Sequence, residues 1–107
     1  MPWTVGFLDE EMKAALDALP LDLRASFQRI VELLQAHGLE RVREPYLKHL
    51  EGPLWEMRLK GRSGIARAVY VTATGMRIVV VHVFAKKTQK TPRKEIVQAL
   101  KKAKEVQ

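Results

Sequence analysis

The spacing of apolar residues changes once along this chain, and that change limits what it can fold into. From residue 9 to residue 37 the spacing is helical: Met12, Ala15, Leu16 and Leu19 share one stripe, and Leu23, Phe27, Ile30, Val31 and Leu34 share another. From residue 55 onward it is that of strands. Trp55, Met57 and Leu59 alternate with Glu56, Arg58 and Lys60. Ile65 to Ala73 is rich in β-branched and aromatic residues, and Met76 to Phe84 (MRIVVVHVF) is apolar on both faces, as a strand covered on both sides would be. A chain of 107 residues holds one such core, so helices and strands must share it.

The punctuation fixes the order. Trp3 to Leu8 reads as a short strand. Asp9 caps a first helix, Pro20 ends it, Asp22 is placed to cap a second, and Gly38 stops that one. Helices joined this tightly, at Leu19–Asp22, pack antiparallel. Residues 38–53, broken by Pro45, Gly52 and Pro53, read as irregular. The turns at Gly61–Gly64 and Ala73–Gly75 join three strands into an antiparallel meander. Thr91 caps a C-terminal helix with Pro92 in its first turn and Ile96, Val97 and Leu100 on one face. The expectation is an α+β domain spanning residues 1–107, ordered β-α-α-β-β-β-α. Its antiparallel or mixed sheet has about four strands, with an N-terminal helical hairpin and a C-terminal helix.

Charge narrows the function. The net charge is +7, but residues 1–40 carry −4 and residues 41–107 carry +11. A basic half points to a polyanionic partner, most often nucleic acid. There is no cysteine, hence no disulfide framework or thiol nucleophile, and the three histidines lack metal-ligand spacing. No apolar run reaches the roughly 20 residues of a membrane helix, and the N-terminus does not read as a signal peptide. A cytoplasmic domain without metal or cofactor is expected.

Such a protein can still cleave RNA, which carries its own nucleophile in the 2′-hydroxyl. The protein must align that hydroxyl, stabilise charge on the phosphate and help the 5′-oxygen leave. Arg67 lies within an apolar strand, where a charge is costly unless it is paired or lines a cleft. It is therefore either a site residue or half of a buried pair, for example with Glu56. Arg58 belongs either to the site or to a solvated strand face. His82, among valines, is either a structural residue or a proton shuttle, and Tyr70 either stacks on a base or packs in the core. Lys86, Lys87 and Lys90 follow the last strand and precede a helix N-terminus, a place that attracts phosphate. The alternative is that they only confer solubility. Lys48 is a further loop cation of the same kind.

Lys48-x-Leu50-Glu51-Gly52-x-Leu54-Trp55-Glu56-x-Arg58, then Arg67-x-x-Tyr70, then His82-Val83-Phe84-x-Lys86-Lys87-Thr88-Gln89-Lys90-Thr91-Pro92 resembles the RelE/ParE toxin superfamily, in its HigB-like, phage-derived branch. The resemblance implies the toxin of a type II toxin–antitoxin pair, a metal-independent endoribonuclease that cuts mRNA on the ribosome. It implies a helix-turn-helix antitoxin as partner, with operator DNA bound only through the toxin–antitoxin complex. It places the family's strand arginine at Arg67 and its basic catalytic residues at Lys86 and Lys87. No tyrosine follows Tyr70, so the C-terminal tyrosine of some relatives has no counterpart, and proton transfer falls to Lys87, Lys86 or His82. Lys48, Arg58, Lys90 and Tyr70 are the remaining candidates for RNA contact. The superfamily also contains gyrase poisons, which stand as the alternative, together with a regulator that binds nucleic acid or an acidic partner without chemistry.

Overall fold

In a computed structural model, which describes residues 3–86 and 90–106, the chain forms a five-stranded sheet with helices on both faces. The elements run β1 (Thr4–Phe7), α1 (Glu10–Asp17), α2 (Leu21–His37), β2 (Leu47–Glu51), β3 (Leu54–Gly61), β4 (Gly64–Ala73), β5 (Arg77–Lys86) and α3 (Arg93–Ala103). The sheet order is β1-β5-β4-β3-β2. β1 pairs with β5 in parallel and every other pair is antiparallel, so the sheet is mixed. No described helix is long and apolar enough to cross a membrane.

The two N-terminal helices and the three-strand meander form as the apolar spacing requires, but the helices pack chiefly on the sheet, α1 on β5 and α2 on β3, and not on each other as expected. Asp9 accepts the Met12 N–H at 3.0 Å and caps α1. Leu16, Leu23, Phe27, Ile30 and Leu34 pack on one sheet face against Met57, Leu59, Ala68, Tyr70 and Val80. On the other face Leu54, Val69, Val71, Val79 and Val81 form a smaller cluster around Ala99 of α3.

Three expectations need correction. Residues 47–51, read as irregular, form edge strand β2, so Lys48 lies on a strand and the sheet has five strands rather than four. Asp22 does not cap α2, whose N-cap position is Pro20. Its carboxylate instead accepts from Ser63 N–H at 2.8 Å and from the Ser63 hydroxyl, tying α2 to the β3–β4 turn. Thr91 does not cap α3, because the helix begins one residue later with Pro92 at the N-cap, and its hydroxyl donates to Glu56 instead.

Candidate active site

Strand alternation sorts the polar side chains of the basic half. On β3, Met57 and Leu59 face the helical hairpin, which sends Glu56 and Arg58 to the other face. On β4, Ala66, Ala68 and Tyr70 face the hairpin, which sends Arg67 to the side of Glu56. β5 reaches the same arrangement through a bulge. Val79 pairs with Val71 and Val80 with Tyr70, but the next partner, of Val69, is His82. Val81 is therefore an extra residue, and the side-chain phase of β5 flips after it. His82, Phe84 and Lys86 thus come to the face that holds Arg67. Without the extra residue they would point into the hairpin core.

The cross-strand register lays out three rungs on that face. Lys48, Glu56, Val69 and His82 share the first, Arg58, Arg67 and Phe84 the second, and Lys60, Ile65 and Lys86 the third. One carboxylate stands among the cations. Arg67 Nε lies 3.3 Å from Glu56 Oε2, and Arg58 Nε lies 3.8 Å from the same oxygen. Arg67 Nη1 donates to the Ala66 carbonyl at 3.0 Å. Thr91 Oγ1 donates to Glu56 Oε1 at 2.6 Å. Glu56 is 1% exposed, Arg67 2%, Thr91 6% and Lys86 7%. Arg58 is half-buried, and Lys48 and Lys90 are exposed.

This packing changes the chemistry of Lys86. Burial and the positive charges of Arg67, Arg58 and Lys48 together outweigh the pull of Glu56, and lower the lysine to about 8. Burial lowers Arg67 too, against the attraction of Glu56, but a guanidinium stays charged. The face therefore holds fixed positive charge beside an amine that can exchange a proton near neutral pH, two properties that suit attack of a 2′-hydroxyl on phosphorus with departure of the 5′-oxygen.

The structure brings Arg67, Lys86, Arg58 and Lys48 together. Of the two readings of Arg67, the buried pair with Glu56 is what the structure shows, and that pair lies beside the other cations of the face. His82 is on the same face but turned to α3, where its Nε2 lies 2.7 Å from Glu95 Oε1. Lys90 precedes α3 and, with Glu51, Thr91 and Arg93, lines a cleft of about 600 Å³. Lys87 lies outside the described residues. Of the two readings of Tyr70 the structure shows the core one: it is 1% exposed on the hairpin face, away from Arg67, and its place among the RNA-contact candidates is corrected. Thr91 was missed because its partner is 35 residues away, a contact that no local pattern encodes.

Residues 14–104 match the protein family described as phage-derived protein Gp49-like. No curated protein matches the chain. A solved structure of the Escherichia coli toxin RelE, a double arginine-to-alanine mutant in the free state, superposes with a TM-score of 0.66. It covers 94% of this chain and 97% of its own, at 19% identity, which establishes the shared fold. The chain belongs to the Gp49-like family of phage-derived proteins and shares the fold of the toxin RelE.

Proposed function

We propose that this protein is the toxin of a type II toxin–antitoxin pair and that it cleaves mRNA on the ribosome without a metal ion. The observation that carries this reading is the cluster of Lys48, Arg58, Arg67 and Lys86 on one sheet face, with Lys86 lowered to about 8. In the proposed reaction the 2′-oxygen attacks the adjacent phosphorus and loses its proton to water. The bond from phosphorus to the 5′-oxygen breaks, and Lys86 gives that oxygen a proton. The products are a 2′,3′-cyclic phosphate and a 5′-hydroxyl. Arg67 and Arg58 supply the positive field that stabilises the extra phosphate charge, in a partly dry setting where such a field acts strongly. Lys48 and Lys90 hold flanking phosphates. Lys87 is assigned to charge stabilisation on the resemblance alone. The neutralising partner is a helix-turn-helix antitoxin, operator DNA is bound only through that complex, and the site of action is the cytoplasm.

Expression of the chain without an antitoxin, followed by mapping of mRNA 5′ ends, tests the reading. Growth arrest with new 5′-hydroxyl ends, both abolished by Arg67→Ala at equal expression, is the expected result. Intact mRNA with double-strand DNA breaks would instead identify a gyrase poison. Normal growth with folded protein would exclude a toxin.

A further inference from the structure

Glu56 is a buried carboxylate with both oxygens engaged, among cations that the proposed cleavage uses. One oxygen accepts from Thr91 and the other faces Arg67 and Arg58. With one oxygen accepting from Thr91 and the other facing two arginines, it is not free to act as the base that takes the 2′-hydroxyl proton. A buried carboxylate is nonetheless expensive, and it is tolerated only where its pairing is complete. Thr91, one residue before the Pro92 N-cap of α3, supplies the neutral donor from 35 residues away.

We propose that Glu56 is a positioning residue of this site, that it holds the guanidinium of Arg67 in the orientation cleavage requires, and that Thr91 locks Glu56 in place. The proposal rests on the cleavage reading for its catalytic consequence, but not for its structural one. Arg67 Nε lies 3.3 Å from Glu56 Oε2, an ion pair without a hydrogen bond, so the carboxylate holds the guanidinium by charge, and removing it frees the guanidinium to rotate within a region that has one fewer negative charge. The charged groups around Lys86 come from several elements: Lys48 from β2, Glu56 and Arg58 from β3, and Arg67 from β4. The His82–Glu95 pair lies on the same face where α3 meets β5. Among these, Glu56 is the one that favours the protonated lysine.

Glu56→Gln keeps the shape and the acceptor for Thr91 but removes the charge. Thr91→Val removes the hydroxyl, and Thr91→Ser restores it. Two readouts separate the claims. The first is the titration of the Lys86 amine by NMR on the free protein, assigned with Lys86→Met. Glu56→Gln should move the midpoint down by about one unit, as loss of a nearby opposite charge does. Thr91→Val should move it by less, and Thr91→Ser should return it. The second is single-turnover cleavage of ribosome-bound mRNA. Thr91→Val should slow the step about 10-fold or more while half-saturation changes by less than about 2-fold, as expected for misalignment of a catalytic group, and Thr91→Ser should recover most of the rate. If Glu56→Gln does not fold, the Thr91 pair carries both readouts. A Lys86 midpoint indifferent to every variant, or a folded Thr91→Val that cleaves like the parent, overturns the proposal. A parent protein that cleaves no RNA overturns the cleavage reading instead, and the Lys86 titration still decides whether Glu56 organises the cluster.

Discussion

Arg58 and Arg67 stand directly opposite each other on β3 and β4, and a single oxygen of Glu56 lies 3.8 Å from the first and 3.3 Å from the second. Like charges facing across a ladder repel. Here Glu56 offsets that repulsion in a region too buried for water to screen it. Replacing Glu56 by Ala leaves Arg67 as an unpaired buried charge, which should lower stability by about 3–5 kcal/mol. Combining it with Arg67→Met should recover much of that loss, because the pair is then removed together. Urea unfolding of the two variants checks this, and a loss below about 1 kcal/mol for the single variant would show that water reaches the pair.

If Lys86 is the general acid of the proposed cleavage, stability and cleavage should depend on pH in opposite senses. Its folded-state value of about 8 lies below the usual 10.5, so between those values the unfolded chain holds the proton and the folded one does not. Stability from this group therefore rises with pH across that window and is flat below about 8, where both states are protonated. As a general acid the lysine works only while protonated, so the cleavage rate should fall as pH climbs through 8. Lys86→Met should flatten the stability profile, raise stability at pH 7 and abolish cleavage. A cleavage rate that increases from pH 7 to 9 would assign Lys86 as a base.

Tyr70 presents the opposite case, a buried group without a partner. Its hydroxyl makes no hydrogen bond among the described residues, and burial pushes its pKa well above the usual tyrosine value. Tyr70→Phe removes an unsatisfied polar atom, so stability should stay the same or rise by about 1 kcal/mol, with RNA binding unchanged. A clear loss of RNA affinity in the folded variant would return the ring to the binding surface.

Lys90 is exposed on the cleft before α3. Lys90→Ala should weaken binding to single-stranded RNA and reduce the slope of log affinity against log salt by about 0.7, the value for one lost phosphate contact. The rate of cleavage once bound should not change. An unaltered slope would remove Lys90 from the interface.

Much of this arrangement is legible in the sequence, because it depends on local spacing. The apolar stripes of residues 9–37 specify the hairpin, and the Met57–Leu59 alternation alone sends Glu56 and Arg58 away from it. Arg67 stands out as a charge in an apolar strand, and its reading as half of a buried pair with Glu56 is what the structure shows. What stayed hidden depends on contacts distant in sequence. β2 is a short edge strand with a mixed pattern, LKHLE, between Pro45 and Gly52, and pairing with β3 rather than propensity makes it a strand. The bulge at Val81 is invisible in a run of valines that suits either face, yet it decides where Lys86 points. Asp22 and Thr91 both look like helix caps, and both spend their side chains on partners at least 35 residues away.

The central claim is that this cation cluster cleaves RNA without a metal. The most direct measurement is incubation of the purified protein with mRNA-programmed ribosomes in excess chelator, followed by analysis of both new ends. Cleavage that persists in chelator, with 2′,3′-cyclic phosphate on one end and 5′-hydroxyl on the other, and that is lost in Lys86→Met and Arg67→Ala, is the predicted result. Cleavage that stops in chelator or leaves 5′-phosphate ends, or an mRNA left intact by a folded protein that arrests growth, would contradict it.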